Sequence, residues 1–272
     1  MKKVPEQYTF FDASDYARPL AERLARLLLP SVITPIHLTL IFIAVGITSA
    51  VLFSTGIYWF QVIAGLLLPF KSLLDAADGS LARVRNHPSR VGRFLDAIGD
   101  FVVNALVLSA IGIAEYNKTG QVSALWLALL ALISVTWQVT IYNYFSVLYR
   151  TATKGDVTSQ IVESSDSTYA WDNRTILRLL AGIYNLLYAW QDRLITHIDK
   201  SLLNAENTAL ASKRFMILTG LIGLGIHLLI ICVFAVLGKP MVALYVIIFP
   251  LNLYWIFLLY LRRYTNKTIS VT

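Results

Sequence analysis

Six apolar stretches dominate this chain, near residues 34–54, 57–77, 93–114, 122–148, 215–238 and 241–261. A helix of about 20 apolar residues crosses the hydrocarbon core of a bilayer. Backbone amides in lipid must be satisfied internally, so such stretches become helices rather than open strands. The expected fold is an all-α integral membrane protein with six transmembrane helices. Composition agrees, with 57% hydrophobic and only 14% charged residues in 272. A soluble domain carries about 25% charge, so a water-coated globule is excluded. The one cysteine, Cys232, excludes an intrachain disulfide. With four scattered histidines it also makes a Cys/His zinc site a poor candidate. The net charge of +7 is read as a response to lipid headgroups, an anionic substrate and membrane orientation, not to nucleic acid.

Lysine and arginine are distributed unevenly about the spans. Twenty of the twenty-three lie before the first span, in the second and fourth links, or after the last span. Lys118 and Lys239 lie on the other side, and Lys71 lies within a span. The positive-inside rule then places both termini in the cytoplasm. No secretory leader is expected, because Lys2 and Lys3 precede polar and aromatic residues rather than an apolar run.

Residues 1–30 read as an N-terminal segment containing an amphipathic interfacial helix over 14–29. Leu20, Leu24, Leu27 and Leu28 share one face of it, and Arg18, Glu22, Arg23 and Arg26 the other. An ordinary helix packed on the protein is the equal alternative. Residues 31–272 read as a six-helix membrane domain with a cytoplasmic insertion at about 150–213. Within that insertion, 151–173 has the composition of a loop. Residues 174–204 carry a helical stripe of Ile176, Leu179, Leu180, Ile183, Leu187, Trp190, Leu194 and Ile198, too short and too charged to span. That piece is expected to lie at the surface or interface.

The acidic residues carry the chemistry. Asp75, Asp78, Asp96 and Asp100 are the only acids between Glu22 and Glu115. A carboxylate near the bilayer is costly unless paired, hydrated or bound to a cation. Asp75 and Asp78 are i and i+3, and Asp96 and Asp100 are i and i+4, so each pair shares a helix face. A short basic turn joins the two helices, which are expected to be antiparallel neighbours with the carboxylates facing each other. Such a cluster suits one or two hard divalent cations, magnesium or manganese. Gly79, Ala82 and Gly92 leave room for a ligand, and Arg83 can reach a phosphate.

Written out, the stretch is Asp75-x2-Asp78-Gly79-x2-Ala82-Arg83-x8-Gly92-x3-Asp96-x3-Asp100. It resembles, at every defined position, the signature of the CDP-alcohol phosphatidyltransferase (CDP-alcohol phosphotransferase) family. Pro35 and Thr39 match two further family positions at the start of the first span, while Ile36 stands where the family often has Asn. The resemblance implies a membrane enzyme of phospholipid synthesis, moving a phosphatidyl or phosphoalcohol group from a CDP-alcohol to an acceptor alcohol with release of CMP. It implies metal ligation by Asp75, Asp78 and Asp96, with Asp100 beside them both as a further metal residue and as general base. Gly79, Ala82, Arg83, Gly92 and Thr39 would form the CDP site. The implied partners are a CDP-linked donor, an acceptor alcohol, membrane lipids and a second copy of the chain. The implied setting is a bacterial plasma membrane with the site facing the cytoplasm.

The same residues admit other readings. A transporter could use the aspartates for cations or protons, but its charges would be spread over several helices near the midplane. A non-catalytic scaffold would be expected to have lost Asp100. The aspartates could instead pair structurally with Arg83, Arg85, Arg90 and Arg93. Lys71 is expected to form an i,i+4 ion pair with Asp75, and His227 to be a hydrogen-bonded interior residue. His37 and His87 are weak candidates for headgroup contacts. For Trp137, Tyr142 and Tyr144, lipid-facing or interface packing is favoured over an acceptor pocket.

Overall fold

The computed structural model describes residues 4–155, 169–203 and 212–269. All regular elements among them are helical. In chain order they are α1 (Arg18–Leu27), α2 (Pro35–Ser54), α3 (Tyr58–Val84), α4 (Arg90–Thr119), α5 (Ser123–Ala152), α6 (Arg174–Tyr184), α7 (Trp190–Leu203), α8 (Lys213–Thr219), α9 (Leu224–Val236), α10 (Pro240–Ile248) and α11 (Pro250–Ile269). Among the described residues, five stretches are long and apolar enough to cross a membrane: α2, α3, α4, α5 and the run Pro240–Arg263. The bent pair Lys213–Ile222 and Leu224–Val236 makes a sixth if counted as one span. The chain is an integral membrane protein.

The fifth span was expected to be continuous but is bent by 43°. Glycines explain the bend. Residues 12–14 lie against Gly220, Gly223 and Gly225, where any Cβ would collide with Asp12 or Ser14. His227, buried as expected, ties the break to α5. Its Nδ1 lies 3.0 Å from the Gly223 carbonyl and its Nε2 2.7 Å from the Gln138 side chain.

Helices in lipid gain little from apolar burial against one another, so close packing through small residues holds them together. The crossing of α2 and α4 is the clearest case. Val103 of α4 sits where a side chain at Gly46 would be, and Ile43 of α2 lies 2.6 Å from an ideal Cβ at Gly99. This tight crossing has a consequence for the neighbouring hairpin. Helix α2 packs on both α3 and α4, whereas α3 and α4 touch each other only sparsely. The two helices face each other across the turn with their carboxylates converging, as expected, but they are not packed on one another. They form the two walls of a gap, and α2 is its floor.

The N-terminal helix is shorter than expected, Arg18–Leu27, with Pro19 in its first turn. Its protein-facing side is Ala21 and Ala25, which let the backbone approach α3 and its neighbours. Leu20 and Leu27 are 57% and 75% exposed. Leu24 and Leu28 pack on the protein, so the leucines are divided between two sides, and the insertion is divided likewise. Leu177, Ala181, Ala189 and Ile195 are buried, while Ile176, Leu179, Ile183, Trp190 and Leu194 face outward. Of the loop expected over 151–173, residues 156–168 lie outside the described residues.

Candidate active site

The turn between α3 and α4 sets the register of the site. Asn86 adopts a left-handed conformation with φ 49°, which asparagine tolerates better than most residues. The Asn86 amide donates to the Arg83 carbonyl at 3.2 Å and the His87 amide to the Ala82 carbonyl at 3.0 Å. This paired pattern closes a helix C-terminus. Ser89 then caps α4, accepting from the Gly92 amide at 3.0 Å. Asp172 covers the same end, accepting from the Ser89 hydroxyl at 2.6 Å and from the Arg90 amide at 2.9 Å. A carboxylate is favoured there because helix N-termini carry free amides and positive potential.

Above this turn the aspartates converge. Asp75, Asp78 and Asp96 each offer a carboxylate oxygen, and the three oxygens lie within 4.8 Å of one another. Asp78 is buried, and the Thr39 hydroxyl of α2 donates to it at 2.6 Å. Asp96 Oδ1 is buried and has no hydrogen-bond partner among the described residues. A buried acceptor left open is costly unless water or a cation meets it. Three hard carboxylate donors with one open, buried oxygen fit a divalent cation.

Asp100 lies outside that group of three. Its Oδ1 accepts from Lys71, whose ammonium also donates to Asp75 at 3.2 Å. Lys71 is 1% exposed and sits over the Phe42 ring, 4.3 Å from its centroid. The expected pairing with Asp75 is present, and the pairing with Asp100 across the gap was missed. Nothing local signals it, because the partners are 29 residues apart.

The motif residues share one cavity of about 1480 Å³, with Thr39, Gly79, Ala82, Arg83 and Gly92 in its walls beside Asp75, Asp78, Asp96 and Asp100. The Arg83 guanidinium lies over Gly79, with Nη1 3.4 Å from an ideal Cβ there, and Nη2 is 3.3 Å from the Ser80 hydroxyl. Arg85 serves another purpose. It donates to the backbone carbonyls of Leu28, Ser31 and Ile33 at 2.9, 2.8 and 2.7 Å. It thus ties the α1–α2 link to the turn.

Other sequence candidates are placed differently from expectation. Tyr142 and Tyr144 line the cavity rather than lipid, with their hydroxyls donating to Asp12 and Asp199. Trp137 packs edge-on against Trp255. His37 completes the N-cap of α2 with Thr34. His87 stacks on Trp171, with ring centroids 4.0 Å apart. Tyr184 and Tyr188 also line the cavity and were not singled out from sequence.

Known proteins resemble this chain in sequence. The chain is 27% identical over 169 residues to a bifunctional IPC transferase and DIPP synthase of Thermococcus kodakarensis, covering 62% of this chain and 36% of that protein. It is 37% identical over 102 residues to an archaetidylinositol phosphate synthase of Pyrococcus horikoshii, covering 36% and 52%. It is 37% identical over 76 residues to a CDP-diacylglycerol–glycerol-3-phosphate 3-phosphatidyltransferase of Blochmanniella floridana, covering 27% and 40%. The chain thus aligns with about a third to a half of the length of these relatives. The family profile for CDP-alcohol phosphatidyltransferases matches residues 27–191, which takes in the whole hairpin, its α2 floor and the first part of the insertion. On that match the chain belongs to the CDP-alcohol phosphatidyltransferase family.

Proposed function

We propose that this protein transfers a phosphatidyl or phosphoalcohol group from a CDP-alcohol to an acceptor alcohol and releases CMP. The observation that carries the reading is the convergence of the Asp75, Asp78 and Asp96 carboxylates within 4.8 Å, in one cavity with Asp100 and Arg83. Asp75, Asp78 and Asp96 would hold divalent metal, one or two ions of magnesium or manganese. When bound, the metal supplies neutralisation of pyrophosphate charge and polarisation of the phosphorus under attack.

The chain's own residues do the rest. Arg83 holds the CDP phosphates as a charge-assisted donor and neutralises the departing CMP. Gly79, Ala82 and Gly92 leave space for the nucleotide and pyrophosphate. Thr39 fixes the Asp78 carboxylate from the α2 floor. Asp100 accepts the proton of the acceptor hydroxyl. The new oxygen–phosphorus bond forms as the bond between that phosphorus and the CMP oxygen breaks.

One relative is named for CDP-diacylglycerol and glycerol 3-phosphate, and another for archaetidylinositol phosphate. Arg93, Arg150 and Lys154 line the same cavity and suit a phosphorylated acceptor. CDP-diacylglycerol is the donor we favour. The charge bias supports a site facing the cytoplasm, and a homodimer belongs to the same reading. The exposed leucines of α1 and of the insertion would then rest in the cytoplasmic interface.

The test is CMP release by purified protein supplied with CDP-diacylglycerol or CDP-aminoalcohols and a panel of acceptors. CMP release dependent on both substrates is expected. No CMP with any pair, together with cation or proton flux in proteoliposomes, would replace this reading with a transporter.

A further inference from the structure

The insertion carries one irregular turn. Between α6 and α7, Asn185–Ala189 forms a π-helical turn. Such turns have poorer hydrogen-bond geometry than an α-helix and occur often at functional sites. The arm that contains it is anchored on both sides. On one side Asp172 holds the start of α4, and the Trp171 indole donates to the Pro88 carbonyl at 2.8 Å. On the other, Thr140 donates to Gln191 at 2.9 Å, and Asp199 accepts from Tyr144 at 2.9 Å and from Arg262 at 3.3 Å. The extra residue in the turn is accommodated between these anchors. It lets Tyr188 reach α4 while Gln191, Ile195 and Asp199 stay buried.

Tyr188 reaches the backbone of the motif itself. Its hydroxyl donates at 3.2 Å to the carbonyl of Ala97, the residue between Asp96 and Ile98. Its ring meets Phe101 edge-on at 6.3 Å and Tyr184 at 5.1 Å. Tyr184 in turn packs on Phe94 at 5.1 Å, and its hydroxyl lies 3.3 Å from Asp192. In an α-helix the Ala97 carbonyl already serves the amide four residues on. The phenol therefore makes a long, second bond there, one that an arriving substrate oxygen can replace. Burial, then the charge of Asp100, pushes the Tyr188 hydroxyl above its ordinary range, so it stays a protonated donor at neutral pH.

We infer that Tyr188 is an acceptor-binding residue, donating to a second oxygen of the acceptor while the attacking hydroxyl faces Asp100. The inference rests on the transferase reading above and extends it to specificity. A site built to hydrogen-bond a substrate oxygen discriminates strongly against analogues that lack it. Tyr188 would select polyols and polyol phosphates over simple alcohols. Tyr184 is its packing support and touches no substrate in this scheme.

The test compares wild type with Tyr188→Phe, using CDP-diacylglycerol and four acceptors: glycerol 3-phosphate, an inositol phosphate, glycerol and a simple primary alcohol. For the acceptor that wild type uses best, Tyr188→Phe is expected to raise acceptor KM about tenfold, the size of one hydrogen bond. Donor KM and saturated kcat should hold within about twofold, and the preference over the simple alcohol should fall by a similar factor. Thermal unfolding of Tyr188→Phe should match wild type, since the ring is retained. Unchanged acceptor KM and selectivity in an active wild-type background would overturn the inference alone. So would an equal loss for every acceptor with a changed donor KM, since that is the behaviour of a residue that merely positions α4. Absence of CMP release by wild type with any acceptor would overturn the transferase reading and this inference with it.

Discussion

Lys71 and Asp100 form an ion pair across the gap between α3 and α4, and the same ammonium reaches Asp75 at 3.2 Å. It is a buried cation joining the two walls, with Phe42 of α2 beneath it. Removing one partner of a buried pair typically costs about 3–5 kcal/mol, because the other charge is left uncompensated. Lys71→Met should therefore destabilise the protein. The loss should be greater in EDTA than in magnesium, since bound cations would offset part of the lost charge. Thermal unfolding in detergent under both conditions measures this. Equal losses in the two would mean that Lys71 does not share the charge balance of the site.

Metal dependence follows from the three converging carboxylates. Chelation should abolish CMP release, and magnesium or manganese should restore it. Asp75→Asn, Asp78→Asn and Asp96→Asn should each weaken metal binding and remove most turnover. Full activity in excess EDTA would sink the metal assignment.

Arg83 and Asp100 should fail in different ways. Arg83→Ala should chiefly weaken CDP-donor binding, by about 1.5–3 kcal/mol per lost charged bond. Asp100→Asn should leave donor binding largely intact while turnover falls by about two to four orders of magnitude. Donor affinity and single-turnover rates separate the two. Loss of metal and donor binding in Asp100→Asn as complete as in Asp75→Asn would make Asp100 a ligand rather than the base.

The α2–α4 crossing allows a packing test away from the chemistry. A Cβ at Gly46 would meet both methyls of Val103, a side chain stiff at χ1. Gly46→Ala should cost about 1–3 kcal/mol by overpacking, and adding Val103→Ala should recover part of it. Unfolding midpoints of the single and double variants decide this. No recovery would mean that the strain lies elsewhere.

Orientation is open to direct labelling. In a Cys232→Ser background, single cysteines near Lys118 and Lys239 should react with an impermeant reagent in intact cells, and one near Asn86 should not. Labelling at Asn86 from outside would reverse the topology and separate the site from cytoplasmic CDP substrates.

Much of this protein was legible in the chain before any contact was known. Length and apolarity dictate spanning helices, because lipid leaves the backbone no other way to satisfy its amides. Helical spacing places Asp75 with Asp78 and Asp96 with Asp100, and a short turn brings the two pairs to one end. Those are local properties, fixed by 3.6 residues per turn. The separation of α3 and α4 is not local. It depends on how closely α2 packs on α4 at Gly46 and Gly99, and only that packing opens the gap that Lys71 bridges. The insertion makes the same point. Its apolar stripe is plain in the sequence, but five of its eight residues face outward, and small or isolated residues such as Ala181 and Ile195 face the protein. Periodicity shows that a helix has two faces; which face meets the protein depends on the shape of its neighbours. In water the apolar face would have turned inward. Here close packing and the polar anchors at Asp172, Gln191 and Asp199 decide, and with them the position of Tyr188 beside the aspartates.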